Sequence, residues 1–240
     1  MGAITSALSG DSLRFACLLS LAVLSGSLAL AAGCASESPP VSDQVQKSDD
    51  ANSTLAPSPT ATPTAQAVTF AAVGDSITVG DSPDFNSGKF GPLSWPSLAP
   101  PGTKFAGGWA VSGATTAAMA SAVKPAPADV LVVIAGTNDL INGVPFVESA
   151  ANLQTIVTTV GAKRVVVSSV PPLDVDPAAS TDYNAQLQAL AAREGWAFVD
   201  AMAGVRDGEV YAEGMTADGI HPTAAGVKMI STALAAELLE

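Results

Sequence analysis

Histidine and cysteine usage limits the reactions that this chain could catalyse. Among its 240 residues, His221 is the single histidine, and the two cysteines, Cys17 and Cys34, both lie in the first 34 positions. A Cys/His zinc site, an iron–sulfur cluster, a disulfide framework and a cysteine nucleophile are therefore excluded from the rest of the chain. A serine hydroxyl is a weak nucleophile at neutral pH and needs an adjacent base, and His221 is the imidazole available for that role.

Four short segments contain side chains suited to serine-based catalysis. Ser76 follows Gly-Asp, Gly113 lies in Val-Ser-Gly-Ala-Thr, and Asn138 lies in Gly-Thr-Asn-Asp. The fourth segment is Asp-Gly-Ile-His-Pro, in which Asp218 precedes His221 by three residues. From that position the carboxylate can accept a hydrogen bond from the imidazole, fix its tautomer and stabilise its cation. The spacing therefore predicts a Ser–His–Asp triad with Ser76 as the nucleophile.

Each of these residues also has an ordinary structural interpretation. A serine or histidine after a strand can cap a helix, and a glycine or asparagine can serve a turn. Taken singly, the structural interpretation is favoured each time, but taken together it requires four coincidences in the right order. We therefore predict a catalytic role for the set. The neighbouring Asp75 is interpreted as a structural carboxylate that bonds nearby N–H groups, and Asp139 is interpreted as structural too.

The elements that would hold these segments alternate between short apolar runs and amphipathic stretches. The run 130–135 (VLVVIA) is apolar on both faces, which is typical of a parallel strand covered by helices on each side. Further apolar runs have the length of strands. The predicted strands cover residues 68–73, about 103–111, 130–135, 164–170 and 197–199.

Amphipathic stretches between these runs predict helices. Residues 145–160 and 181–194 carry apolar side chains at three- and four-residue spacing, and a final helix is predicted with Pro222 at its first position. The alternation predicts an α/β fold, a doubly wound, flavodoxin-like sandwich of about five parallel strands with helices on both faces. Ligands bind at the carboxyl ends of the strands in such a fold, so we expect the four segments to meet at one edge of the sheet.

The four segments, in this order, resemble the SGNH (GDSL-type) hydrolase family, whose blocks are a GDS motif, a glycine, a G-x-N-D motif and a D-x-x-H-P motif. The resemblance covers residues 68–240, whereas a literal Gly-Asp-Ser-Leu at 10–13 lies in the leader and has no catalytic meaning. It implies a serine esterase that works through an acyl-enzyme without a cofactor. By resemblance, the oxyanion hole consists of the backbone N–H groups of Ser76 and Gly113 and the side-chain amide of Asn138.

The resemblance leaves the substrate open, because members of this family act on acetylated sugars, lipid esters, thioesters and aryl esters. A domain of 173 residues has little room for a lid, which favours short acyl (acetyl) esters on envelope or extracellular glycans. One alternative is a lysophospholipase or thioesterase of the same fold. Another is a non-catalytic surface lipoprotein that binds glycans in the same cleft, although intact Ser76, Asn138 and His221 argue against it.

The N-terminal region predicts export. Residues 15–33 form an uncharged apolar run that ends in Ala-Ala-Gly before Cys34, and together residues 1–34 are typical of a signal peptide. The ending resembles the lipobox of bacterial lipoproteins, in which the cysteine is acylated; an incidental cysteine and an uncleaved anchor are the alternatives. Residues 35–67, rich in proline, serine and threonine, predict a disordered tether before the hydrolase domain 68–240. We therefore expect an extracytoplasmic protein that is lipid-anchored at Cys34 or secreted.

Net charge excludes several classes of partner. The chain has 10 Lys+Arg against 22 Asp+Glu, a formal net charge of −12, which repels phosphate backbones and anionic headgroups. We expect no nucleic-acid partner, and contact with the membrane only through the lipid on Cys34. The acidic residues of the loops lack the spacing of a calcium site, so no metal is predicted, and the domain is expected to be a monomer.

Overall fold

The structure, a computed structural model, describes residues 66–240. The predicted signal segment 1–34 with Cys34, and nearly all of the predicted tether 35–67, lie outside the described residues. Within residues 66–240 the chain forms a five-stranded parallel sheet surrounded by helices, together with a two-stranded antiparallel pair. None of the helices in this part of the chain is long and apolar enough to cross a membrane.

The predicted strands are confirmed with ends that differ by at most two residues. Three short 3₁₀ helices interrupt the connections, at Phe85–Ser87, Trp95–Leu98 and Ala203–Val205. The strands and α-helices, in chain order, are β1 Val68–Gly74, α1 Ser76–Val79, β2 Thr103–Ala110, α2 Thr116–Ala122, β3 Val130–Ile134, α3 Thr137–Ile141, α4 Phe146–Val160, β4 Arg164–Ser168, α5 Pro177–Glu194, β5 Ala197–Val199, β6 Arg206–Asp207, β7 Val210–Tyr211 and α6 Ala224–Leu238.

Sheet topology brings three of the four predicted segments together. The strand order is β2-β1-β3-β4-β5 with every neighbouring pair parallel, which is the flavodoxin-like order. Gly74, at the end of β1, pairs with Ala110 of β2 on one side and with Ile134 of β3 on the other. The loops that follow β1, β2 and β3 therefore leave the sheet side by side at one edge.

Alternation along the strands divides the core into two layers. In β3, Leu131 and Val133 pack with α2, α4 and α5, whereas Val132 and Ile134 pack on the opposite face with α1 and α6. All of these side chains are buried, as expected for a strand covered on both faces. The predicted doubly wound α/β fold is confirmed.

Local sequence explains where the long helices begin and end. The C-terminal end of α4 is followed by Gly161, whose φ of 72° is the left-handed conformation that a glycine adopts without strain. The start of α5 lies at Pro177 rather than at residue 181, because Asp176 caps it by accepting a hydrogen bond from the N–H of Ala179 at 3.3 Å. The first turn of α5 was thus missed by the prediction.

The start of the last helix corrects the prediction for Pro222. Helix α6 begins at Ala224, and Thr223 is its cap, so Pro222 does not occupy the first helical position. Pro222 instead forms an isolated antiparallel bridge with Thr216, and the N–H of Thr223 donates to the carbonyl of Met215 at 2.8 Å. This pairing keeps the chain extended up to the cap and closes the loop that carries His221.

Candidate active site

The loops at the carboxyl edge of the sheet surround one cavity of about 650 Å³. Ser76 is the first residue of α1, directly after β1, while Gly113 follows β2 and Asn138 lies in α3, directly after β3. His221 reaches the same cavity from the loop before α6. The structure therefore brings together the residues that the sequence predicted for the site, from four separate segments.

A chain of hydrogen bonds joins the three predicted triad residues. The Nε2 atom of His221 lies 3.0 Å from Oγ of Ser76, and its Nδ1 atom lies 2.7 Å from Oδ2 of Asp218. With the ring proton on Nδ1, the imidazole donates to the carboxylate and leaves Nε2 free to accept the serine proton. This is the geometry that converts a serine hydroxyl into a nucleophile.

Backbone N–H groups of the loop before α6 donate hydrogen bonds to the Asp218 carboxylate. Oδ1 of Asp218 accepts from the backbone N–H of His221 at 2.8 Å and from that of Ile220 at 3.0 Å. Hydrogen bonds from the backbone and then from the side chain of His221 hold the pKa of Asp218 well below its usual range. Asp218 is therefore a carboxylate at neutral pH, and its 52% exposed side chain also favours the charged form.

Two backbone N–H groups beside Ser76 are available to stabilise a negative oxygen. Within residues 66–240, neither the N–H of Ser76 nor that of Gly113 donates to a protein acceptor. Gly113 has a φ of 78°, and no atom lies within 4 Å of the position that a Cβ would occupy. A side chain there would be strained by the backbone and would project into open space above the cleft, so glycine suits a position where the backbone approaches a substrate.

The Asn138 amide lies between the loops that carry these two N–H groups. Its Nδ2 atom donates to Oδ2 of Asp75, the residue before Ser76, at 3.3 Å. It also donates to the carbonyl of Ala114, the residue after Gly113, at 3.1 Å. The amide is thus positioned to contribute to an oxyanion hole, and neither of these two partners was predicted from the sequence.

Asp75, the residue before Ser76, is buried. Its carboxylate is fully buried and accepts from the N–H of Ile77 at 3.0 Å, which makes Asp75, and not Ser76, the cap of α1. Burial raises the pKa of the Asp75 carboxyl to about 6, since removal from water disfavours the charged form. The prediction that Asp75 bonds nearby N–H groups is confirmed by the hydrogen bond from Ile77. Its hydrogen bond with Asn138, which is 63 positions away in the chain, was not predicted.

A second buried carboxylate braces the helices behind the site. Asp139 accepts from the N–H of Thr116 at 2.8 Å and from Oγ of Ser149 at 2.8 Å. These contacts tie α3 to the start of α2 and to the first turn of α4. Asp139 therefore has the structural role that the sequence predicted.

Apolar walls line the cavity next to the catalytic groups, and sequence reasoning did not identify them. Leu93, Ile141 and Ile220 contribute side chains, and Ile141 is 52% exposed although it is a large apolar residue. The N–H of Leu93 donates to the Asp81 carboxylate at 2.8 Å, which fixes that wall. No signal in the sequence separated these residues from ordinary surface positions, because they come from three segments that are far apart in the chain.

Residues 66–240 contain no cluster of three or more His, Cys, Asp or Glu side chains that could hold a metal ion. Two acidic residues of the loops accept hydrogen bonds from backbone N–H groups. Asp176 caps α5, and Asp174 accepts from the N–H of Tyr211 at 3.0 Å. These carboxylates are thus engaged with backbone N–H groups rather than simply solvated.

A sequence profile of the GDSL-like lipase/acylhydrolase family matches residues 72–229 of the chain. The chain belongs to this family. The match includes all the predicted catalytic residues and excludes the literal Gly-Asp-Ser-Leu at 10–13. Membership implies an ester hydrolase. No curated protein matches the sequence.

Several solved structures have the same fold. A lipolytic protein of the G-D-S-L family from Veillonella parvula is 20% identical, with a TM-score of 0.55 over 70% of this chain and 96% of its own. A catalytic mutant of Axe2, an acetylxylan esterase from Geobacillus stearothermophilus, is 18% identical, with a TM-score of 0.55 over 71% and 94%. A GDSL-like lipase from Bacteroides thetaiotaomicron is 18% identical, with a TM-score of 0.53 over 75% and 92%. At these identities the likeness shows the shared fold.

Proposed function

We propose that this GDSL-family hydrolase is a serine esterase that cleaves carboxylic esters through an acyl-enzyme. The observation that carries the proposal is the continuous chain of contacts from Asp218 through His221 to Ser76, at 2.7 and 3.0 Å, at the edge of a cavity of about 650 Å³. The catalytic mutants of Axe2 replace a serine, an aspartate and a histidine, which are the residue types that meet here.

The proposed reaction proceeds in two halves. Oγ of Ser76 attacks the ester carbonyl while Nε2 of His221 takes its proton, and Asp218 stabilises the imidazolium that results. The tetrahedral intermediate places its negative oxygen among the N–H groups of Ser76 and Gly113 and the Asn138 amide. His221 then protonates the leaving alcohol, and in the second half it activates a water molecule that hydrolyses the acyl-enzyme.

For the substrate we propose short acyl esters, acetyl esters in particular, on envelope or extracellular glycans. Two features support this choice. The side chains of His221 and Asp218 are 46% and 52% exposed, so the catalytic groups can reach an ester on a large polymer. The neighbouring structure Axe2 is an acetylxylan esterase by name.

Hydrolysis of longer acyl chains is the second candidate, and the apolar cavity wall favours it. Leu93, Ile141 and Ile220 give the cavity an apolar side, and its volume of about 650 Å³ exceeds what an acetyl group fills. A lysophospholipase or thioesterase would use this wall to bury part of the acyl chain, with each buried methylene contributing about 0.8 kcal/mol.

A panel of esters with acyl chains of increasing length distinguishes these candidates when it is run beside acetylated glycans with acetate release as the readout. We expect kcat/KM to be highest for acetyl esters and acetate to be released from the glycan. A steady rise of kcat/KM with chain length, abolished by Ile141→Ala, would instead support the longer-chain candidate. Glycan binding without hydrolysis of any ester would identify a non-catalytic binding protein and overturn the proposal.

We further propose that the protein acts outside the cytoplasm, anchored through a lipid on Cys34. The support lies in the sequence, where Ala-Ala-Gly-Cys follows the apolar run 15–33. Metabolic labelling with a fatty acid tests it: the full chain should incorporate label and partition with membranes, and Cys34→Ala should do neither. Equal labelling of Cys34→Ala would contradict the lipoprotein assignment without touching the esterase proposal.

A further inference from the structure

Asp75 stands beside the nucleophile in the chain, yet the proposed reaction gives it no chemical role. Among residues 66–240, its carboxylate makes no hydrogen bond with Ser76 Oγ or the His221 ring, and it is completely buried. A buried carboxylate is costly unless it is hydrogen-bonded. It accepts one hydrogen bond from the N–H of Ile77 and one from Nδ2 of Asn138. The second of these connects the nucleophile segment to the residue proposed as the side-chain donor of the oxyanion hole.

We propose that Asp75 is a positioning residue of the active site, whose buried carboxylate holds the Asn138 amide with its NH₂ group, rather than its carbonyl oxygen, directed to the oxyanion hole. The inference rests on the proposed esterase function. Nδ2 bonds the carboxylate of Asp75 and the carbonyl of Ala114, which are the residues next to Ser76 and Gly113. The NH₂ group therefore lies between the two backbone donors.

The alternative orientation of the amide is electrostatically unfavourable while Asp75 is charged. A flipped Asn138 would place Oδ1 against a carboxylate oxygen and a carbonyl oxygen, three acceptors facing one another without a hydrogen. The oxyanion hole would then present an acceptor to a developing negative charge. The contact with Asp75 is 3.3 Å long, so one hydrogen can be shared with a substrate oxyanion in a three-centre arrangement as charge develops.

Protonation of Asp75 would weaken this control and leave the Ala114 carbonyl as the one acceptor that still favours the observed orientation. A protonated carboxyl can donate its O–H to the Oδ1 atom of a flipped Asn138, so that the flipped amide oxygen no longer faces two acceptors. Burial places the pKa of Asp75 near 6, with a charged His221 favouring the carboxylate and Asp139 opposing it. The other ionisable groups that face it, Tyr183 and Tyr211, have pKa values raised by burial and stay neutral.

A double-mutant cycle tests the proposal on the full-length protein. We expect Asp75→Asn to lower kcat by about tenfold or more, up to the ~10²–10³-fold that loss of a whole oxyanion donor costs, with KM nearly unchanged. In an Asn138→Ala background the same change should lower kcat by less than about twofold, because the group that Asp75 positions is already gone. Independent, multiplying losses in the cycle would overturn the proposal.

Asp129→Asn is the matched control. Asp129 also accepts from a backbone N–H, that of Thr69 at 2.8 Å, but it lies at the opposite edge of the sheet from the cavity. This variant should lose thermal stability and keep kcat. An equal loss of kcat in Asp129→Asn and Asp75→Asn would show that any damaged carboxylate reduces turnover, and the positioning role would be rejected.

A measurement that needs no Asp75 variant covers the case in which Asp75→Asn fails to fold. We expect the ratio of kcat for the unaltered protein to kcat for Asn138→Ala to be largest above pH 7 and to shrink below about pH 6. Effects of pH that the two proteins share cancel in this ratio. A ratio that is constant from pH 5 to pH 8 would overturn the inference alone, whereas absence of ester hydrolysis by the unaltered protein would overturn the proposed function and the inference with it.

Discussion

Two carboxylates adjoin the Ser76–His221 pair, Asp75 as the residue before Ser76 and Asp218 as the partner of His221, and their surroundings are opposite. Asp218 lies in an exposed loop and collects hydrogen bonds from the backbone N–H groups of Ile220 and His221 and from the imidazole. Asp75 is fully buried and accepts from Ile77 and Asn138. Hydrogen bonding holds the pKa of Asp218 far below its usual range, whereas burial raises the pKa of Asp75 to about 6.

Exposure alone therefore does not decide which carboxylate can act with the histidine. An exposed carboxylate that is surrounded by N–H donors is a constant negative charge, which is what the imidazolium formed during catalysis requires. A buried carboxylate with few donors changes charge near neutral pH, and it is suited to holding a neighbouring group in one of two orientations. If the two carboxylates have these separate roles, their substitution should change kcat to different extents.

Removing the groups that both carboxylates serve should have the largest effect. Ser76→Ala and His221→Ala eliminate the nucleophile and the single imidazole, so each should abolish ester hydrolysis almost completely. The double variant should be hardly worse than either single one, because the two groups act as a unit. Steady-state kinetics on an acetyl ester measure this, with Ser121→Ala, an exposed serine on α2, as the control that keeps full activity.

Asp218→Asn should cause the second largest loss of kcat. The amide preserves the shape of the loop but removes the charge that fixes the tautomer of His221 and stabilises its cation, so kcat should fall on the order of 10³–10⁴-fold. KM should change little, because the substrate is not expected to touch Asp218. A loss of less than tenfold would mean that solvent supplies most of the stabilisation in this exposed loop.

Asn138→Ala should have a smaller effect than Asp218→Asn. This variant leaves Ser76, His221 and Asp218 intact and removes one donor to the oxyanion, which predicts a fall in kcat of ~10²–10³-fold. Pre-steady-state kinetics should still show formation of an acyl-enzyme. If kcat were unchanged, the amide would have no part in the oxyanion hole. Asp75 could then not act on catalysis by positioning it.

The buried carboxylate should also affect stability as a function of pH. Because the pKa of Asp75 in the folded protein lies above its ordinary value of 3.8, the folded state binds more protons than the unfolded chain between pH 4 and 6. Stability from this group therefore falls as pH rises through that window, by up to about 3 kcal/mol at neutral pH. Thermal unfolding should show Tm of Asp75→Asn gaining on the unaltered protein from pH 4 to pH 7; parallel Tm curves would contradict the shift.

Chelation should have no effect. A cation bound during catalysis would neutralise Asp75 or Asp218 and change the role of that carboxylate. Treatment with EDTA tests whether activity depends on such a cation. We expect identical kcat and KM with and without the chelator. Loss of activity that a divalent ion restores would refute the metal-free serine mechanism.

Much of the fold could be predicted because strands that are buried on both faces leave a strong pattern. The run 130–135 is apolar on both faces and fits a buried strand, and β3 occupies residues 130–134 of it. The errors lie where tertiary contacts override local preference. Proline favours the first helical turn, but Pro222 is drawn into a bridge with Thr216. The pair β6–β7, of two residues per strand, is too short for any periodicity.

The candidate site divides in the same way. The spacing of Asp218 and His221 is local, so their contact could be anticipated from the sequence, and the topology rule brought Ser76 to the same edge. Contacts that cross between loops could not be anticipated. The hydrogen bond from Asn138 to Asp75 joins residues that are 63 positions apart. The apolar wall of Leu93, Ile141 and Ile220 is assembled from two loops and the end of α3, and their separate sequences carry no common signal.

Covalent labelling with a fluorophosphonate probe tests the central claim most directly, because the probe reacts with a serine only where a base and an oxyanion hole activate it. Mass spectrometry of the labelled protein should locate a single adduct on Ser76. Labelling should disappear in both Ser76→Ala and His221→Ala. An adduct on Ser112 or another serine, together with continued ester hydrolysis by Ser76→Ala, would contradict the assignment of the nucleophile and the mechanism built on it.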